Sequence, residues 1–143
     1  MARQLHATCI AIGTVGVLLR GPSGSGKSDL ALRLIDEGAR LVADDRVELA
    51  VEDNRLVARS PAAIAGKIEV RGIGIVAVAS VGRATVGLVL DLVDGAEIER
   101  LPEPAHDTLL GIALPRLRLD PFTASACAKI RLAAAARRVE AAS

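Results

Sequence analysis

The chain has 143 residues, 51% of them hydrophobic, and its 18 basic and 17 acidic residues leave a net charge of +1. This predicts one domain with its own core, and no basic block marks a nucleic-acid footprint; apolar runs such as Ile73 to Val81 are interrupted by glycine and too short to span a bilayer, and Met1 to His6, with no long apolar stretch, is not expected to be a secretory leader. Phe122 is the only aromatic residue, so composition offers no base-stacking platform, and an adenine ring would have to lie between aliphatic side chains and backbone.

In chain order, Ala7 to Ile12 and Val15 to Leu19 are β-rich runs joined by Gly13-Thr14, a predicted hairpin. Lys27 to Glu37 places Leu30, Leu34 and Ile35 on one face of a helix, and Gly38 stops it. Arg40 to Ala43 is a short strand ending at Asp44-Asp45. Val47 to Val51 and Leu56 to Ala58 flank the turn Glu52-Asp53-Asn54-Arg55. Ile75 to Ala79 and Thr85 to Leu92 read as buried strands around a Gly82-Arg83 turn. Leu101 to Asp107, with two prolines and His106, reads as a surface loop. Leu109 to Leu119 reads as extended, and Phe122 to Glu140 as a terminal helix. Strands outnumber helices, unlike a regular alternation of strand and helix. Cys9 and Cys127, far apart in apolar surroundings, read as free buried thiols of a reducing cytoplasm.

Three groups of residues carry chemistry. Gly21-Pro22-Ser23-Gly24-Ser25-Gly26-Lys27-Ser28 spells G-x-x-x-x-G-K-S between a predicted strand and a predicted helix, the context a phosphate-binding P-loop needs. Glycines turn successive backbone N–H groups toward one centre, and the helix N-terminus adds partial positive charge. Lys27 reaches the outer phosphates and the Ser28 hydroxyl suits Mg²⁺. Asp44 and Asp45 end the following strand, on the edge where such folds bind ligand. One acid there can hold Mg²⁺ and the other can accept a proton from an attacking hydroxyl. Neighbouring strand residues face opposite ways, so the two acids divide these roles. The third group, Glu69-Val70-Arg71-Gly72-Ile73-Gly74-Ile75, alternates charged and apolar residues before two glycines. Its spacing fits either an ion pair between Glu69 and Arg71 or an approach to a metal–phosphate centre.

Together these motifs, with His6 ahead of them, resemble HPr kinase/phosphorylase, a bacterial serine kinase family acting on HPr, the phosphocarrier of the phosphotransferase system. Gly21 to Ser28 match its P-loop, Leu41-Val42-Ala43-Asp44-Asp45 its "LVADD", and Glu69 to Ile75 its signature segment. The match is good from Leu5 to about Val76 and weaker beyond. The resemblance implies an α/β fold, a P-loop kinase domain with a mostly β core similar to phosphoenolpyruvate carboxykinase. It implies ATP and Mg²⁺ as cofactors, HPr as partner, a cytoplasmic location and a homo-oligomer, hexameric in the family. By residue-wise transfer, Asp45 is the proton acceptor, Lys27 neutralises the transferred phosphoryl, Ser28 and Glu69 bind Mg²⁺, Asp44 supports the metal–water shell, His6 lies near the active site and Arg71 belongs to the signature segment.

Longer members carry an N-terminal domain with no counterpart before His6, so the resemblance is to a short, catalytic-domain-only form of the alphaproteobacterial type, with residues 1–143 as a single catalytic domain. They also carry a Pro-Gly-Arg-Asn-type loop with a catalytic arginine, which leaves Arg116 or Arg118 to supply that charge here. The kinase reaction is therefore a firmer expectation than phosphorolysis of phosphoserine-HPr. The rival readings are a nucleotide-sensing regulatory module without transfer activity, a small-molecule P-loop kinase and a carboxykinase-like enzyme acting on a carboxylate.

Overall fold

A computed structural model describes residues 2–142, with side chains as far as Arg137. Among the described residues are eleven strands and two α-helices, and one long strand links the two halves of the main sheet. The strands are β1 (Ala2–His6), β2 (Thr8–Ile12), β3 (Val15–Arg20), β4 (Arg40–Ala43), β5 (Arg46–Glu52), β6 (Arg55–Arg59), β7 (Lys67–Val70), β8 (Gly74–Ala77), β9 (Arg83–Leu92), β10 (Ala105–Leu109) and β11 (Ile112–Leu119). The helices are α1 (Lys27–Asp36) and α2 (Ala126–Ala142).

Nine strands form one sheet in the order β1-β5-β6-β9-β3-β2-β4, with β11 also on β9 and β10 on β11. β9 begins antiparallel to β6 through Arg83 to Thr85, then runs parallel to β3 and to β11. β7 and β8 form a separate antiparallel pair. The outer edge of β4 is covered rather than open, because Leu41 N–H donates to Ala79 O at 2.8 Å and Val81 N–H to Leu41 O at 2.9 Å.

The period-2 alternation of the central strands sorts side chains into two cores. Val17 and Leu19 of β3, with Leu88 and Leu90 of β9, meet Leu30, Ala31 and Leu34 of α1 and Ile130 of α2. Leu18 and Val89 point the other way, into a core with Val47, Leu49, Leu56 and Ala58 of β5 and β6. Burial on both faces explains why β2 and β3 read as unbroken apolar runs. α1 follows the amphipathic rule, burying Lys27, Leu30, Ala31 and Leu34 at i, i+3, i+4 and i+7. The β5–β6 turn has Asp53 at φ 52° and Asn54 at φ 61°, the left-handed pair that a two-residue hairpin favours.

At Gly16 the backbone of β9 lies directly against β3. A Cβ there would lie 2.7 Å from Thr85 O, so Gly16→Ala should cost about 1–3 kcal/mol by overpacking. Urea unfolding would measure it, and an unchanged midpoint would contradict the tight approach.

The predicted elements hold, with five corrections. The run expected to be extended from Leu109 to Leu119 is broken by a turn at Leu110-Gly111, with φ of 48° and 82°, so Leu109 closes β10 and β11 starts at Ile112. β1 was not foreseen. Residues 105–107, expected in a loop, belong to β10, with His106 still exposed. Ile75, expected in a buried strand, stands exposed on β8. The terminal helix begins at Ala126 rather than Phe122, because Asp120 Oδ1 accepts from the Phe122 N–H at 3.0 Å and Thr123 Oγ1 donates to Asp120 O at 3.3 Å. Those local bonds hold the chain in a turn.

Candidate active site

The parallel strands β3, β9 and β11 bring their carboxyl ends to one edge of the sheet, and the functional residues gather there. Gly21 to Ser28 link β3 to α1 through a turn closed by Ser25 N–H to Pro22 O at 3.0 Å. Gly24 and Gly26 adopt φ of 83° and 97°, a region closed to most L-residues. Gly21 is required for a different reason: a Cβ there would meet Ser25 Oγ at 2.5 Å. Lys27 is buried, and its ammonium donates back to Gly21 O at 2.7 Å and Pro22 O at 3.1 Å. The Ser25 hydroxyl is buried without a hydrogen-bond partner, a cost that a ligand oxygen would remove.

Asp44 is buried and gathers three elements around one carboxylate. Ser28 Oγ donates to its Oδ1 at 2.7 Å, Thr8 Oγ1 donates to the same oxygen at 3.1 Å, and the Glu69 N–H donates to Oδ2 at 3.3 Å. α1, β2 and β7 are thus pinned together. Asp45 faces elsewhere, but not by the strand alternation expected from the sequence: β4 ends at Ala43, and both acids lie in the bend before β5. The φ of Asp45 is 66°, tolerable for Asp but strained for most residues. Its N–H donates to Thr8 Oγ1 at 3.3 Å and its carbonyl accepts from the Ala7 N–H at 3.2 Å. Its half-exposed carboxylate lies 3.2 Å from His6 Nδ1.

The structure therefore brings together Lys27, Ser28, Asp44, Asp45 and His6. Glu69 joins through its backbone, while its side chain and that of Arg71 are exposed without an ion pair between them. The signature hairpin is seated by buried Ile68 and leaves Ile73 and Ile75 exposed.

Arg116 and Arg118, the two candidates for a C-terminal catalytic arginine, lie on β11. Arg116 is 3.7 Å from Asp91, and Arg118 reaches only the Glu97 carbonyl, at 3.5 Å. Neither is bonded to the loop.

Sequence reasoning did not find the ion cluster that braces the loop's first residue. Arg20 makes a two-pronged contact with Asp91 at 2.8 and 3.1 Å and a third bond to Asp107 at 2.6 Å. No motif marks it; the only signal was charge at the ends of apolar strands. Burial lowers the Arg20 pKa, but the bonds to Asp91 and Asp107 outweigh it and the net shift is upward. The same bond from Arg20 holds Asp107 below the usual carboxylate range, as Arg131 does for Glu37 and Arg59 for Glu52. A carboxyl with a lowered folded pKa stabilises the fold above its unfolded pKa and loses that contribution as pH falls through the folded value. Melting temperature should therefore drop below about pH 4. In Asp107→Asn the drop should be shallower, and identical acid profiles for variant and wild type would contradict this cause.

The family model for the HPr Serine kinase C-terminal domain matches residues 1–139. The chain belongs to that family. It is 39% identical over 115 residues to the HPr kinase/phosphorylase of Peptoclostridium acidaminophilum, covering 78% of this chain and 37% of that protein. It is 35% identical over 127 residues to the HPr kinase/phosphorylase of Clostridium acetobutylicum, covering 81% of this chain and 42% of that protein. The chain thus spans well under half the length of these relatives. A structure described as the Hpr(Ser) kinase/phosphatase from Coxiella burnetii superposes with a TM-score of 0.85 at 30% identity, covering 96% of this chain and 92% of that one. The mostly β α/β fold is the fold of that enzyme. No helix among the described residues is long and apolar enough to cross a membrane.

Proposed function

We propose that this chain is the catalytic unit of a serine kinase that transfers the γ-phosphoryl of ATP to HPr. One observation carries the reading beyond family membership: the two adjacent acids are divided, with Asp44 bound to Ser28 at 2.7 Å and Asp45 left half-exposed beside His6 at 3.2 Å. A module that only sensed nucleotide would have no use for the second, outward-facing carboxylate.

The loop amides and Lys27 hold the polyphosphate, and Lys27 exchanges its bonds to Gly21 and Pro22 carbonyls for phosphate oxygens. Asp45 accepts the proton of the acceptor serine as its Oγ forms the new bond to phosphorus and the bond to the β–γ bridging oxygen breaks, releasing ADP. A carboxylate is too weak to deprotonate serine beforehand, so the proton moves late, and catalysis rests on positioning and charge neutralisation. His6 orients the Asp45 carboxylate. The donor set fits Mg²⁺: Ser28 Oγ and the Asp44 carboxylate are hard oxygen ligands side by side, and Glu69, whose N–H donates to Asp44, would add a third oxygen, from its carboxylate, by reorienting its exposed side chain. When bound, the ion neutralises charge on the phosphate oxygens. Phosphorolysis would use the same residues in reverse, with inorganic phosphate attacking phosphoserine to give pyrophosphate.

The test is transfer of label from ATP to HPr in the presence of Mg²⁺, with a serine-to-alanine HPr alongside. Label on wild-type HPr alone is the expected result. No label while ATP still binds would withdraw the HPr assignment in favour of a regulatory module or another acceptor.

A further inference from the structure

Phe122, the chain's one aromatic residue, lies against the loop that this reading assigns to phosphates. Its ring carbons Cζ and Cε1 are 3.3 and 3.4 Å from where a Cβ on Gly26 would stand, with Pro121 Cγ at 3.4 Å. Yet the side chain is 73% exposed, so it contributes little to either core. A lone exposed apolar residue needs no explanation; one that is rigidly mounted on a ligand loop does.

The mount is specific. The Phe122 N–H is held by Asp120 Oδ1 at 3.0 Å, and Asp120 Oδ2 accepts from the Gly95 N–H at 3.2 Å, tying the segment to the turn after β9. The Pro121 carbonyl accepts from the guanidinium of Arg33 on α1. The backbone that carries Phe122 is therefore tied to both the helix that follows the loop and the turn after β9. It also follows β11, so it stands at the carboxyl edge of the three parallel strands β3, β9 and β11, where open α/β sheets bind ligands.

We propose that Phe122 is the stacking platform for the base of the nucleotide whose phosphates occupy Gly21 to Ser28, an inference that rests on the nucleotide-binding reading above. Composition alone excluded such a platform because it counts rings and does not place them; a single ring against Gly26 of the loop suffices. Its open face offers an incoming base a partner already ordered, and stacking of this kind discriminates weakly between bases because every base has a π-face.

Calorimetric titration with ATP and with inorganic tripolyphosphate, each with Mg²⁺, tests it. Phe122→Ala should bind ATP about tenfold or more weakly, the loss expected for a stacked base, while its affinity for tripolyphosphate stays at the wild-type value. Phe122→Trp should retain ATP affinity, and its indole, unique in this chain, should be quenched by ATP but not by tripolyphosphate. Unchanged ATP affinity in Phe122→Ala, or a parallel loss for both ligands, would overturn the platform and leave the nucleotide reading standing. Failure of the wild type to bind either ligand would remove the nucleotide reading itself.

Discussion

Replacing Asp45 by Asn should leave ATP binding unchanged and slow phosphoryl transfer to HPr by about 10²- to 10⁴-fold, the range general base catalysis supplies. The substitution is well controlled by the structure. Asp45 sits at φ 66°, and Asn is among the few residues at ease there. Its side-chain oxygen can still meet His6 Nδ1, and its N–H can still donate to Thr8. What is lost is the capacity to take up a proton. Single-turnover transfer with saturating ATP isolates that step, and calorimetry reports binding separately. A rate equal to wild type would remove Asp45 from the chemistry. His6→Ala should have a smaller effect, because it frees the carboxylate without abolishing it.

Asp44→Ala should do the opposite and damage the fold and the site together. The buried carboxylate is the shared acceptor for Ser28, Thr8 and the Glu69 backbone. Removing it strands three donors, of which Thr8 is fully buried. Each unsatisfied buried donor costs about 1–3 kcal/mol. The two hydroxyls can partly re-aim, and relief from burying a carboxylate offsets part of the loss, so a net destabilisation of about 2–4 kcal/mol is expected. For a domain of this size that is a fall in melting temperature of about 5–15 °C. Asp44→Asn, which keeps one acceptor oxygen, should recover part of it. A change within about 0.5 kcal/mol, typical of an ordinary surface position, would show that Asp44 does not organise these elements.

Much of the site was legible because its chemistry is local. The spacing of Gly21, Gly26, Lys27 and Ser28 encodes a loop whose conformation those residues themselves impose, and the apolar runs before and after place it between strand and helix. Asp44 and Asp45 were legible as a pair at a strand end, but what turns them apart is the bend with Asp45 at φ 66°, which strand alternation does not describe. The hub around Asp44 was not, because Thr8 is an unremarkable strand residue and Glu69 contributes its backbone N–H, which no side-chain pattern reports. The Arg20–Asp91–Asp107 cluster escaped because only the sheet assembles it: Arg20 and Asp91 are partners in the parallel β3–β9 register, and Asp107 arrives on β10 through its antiparallel pairing with β11. β10 was hidden by Pro102 and Pro104, which are turn signals, although the strand starts just after them. Phe122 was misplaced into the helix because helical periodicity cannot see Asp120 diverting the preceding backbone.

β9 has a consequence for how the site comes into being. The residues to which the proposal gives the chemistry lie between His6 and Glu69, yet the strand that unites β6, β3 and β11 is Arg83–Leu92. During synthesis, which proceeds from the N-terminus at about 5–20 residues per second, β3 emerges with only β2 beside it and must wait for its parallel neighbour. A fragment ending near residue 80 would contain every motif residue and still lack the strand on which the loop's own strand rests. The loop's own strand is therefore made before the strand it rests on, and the site is a late event in folding, set by a long-range pairing that is intrinsically slow.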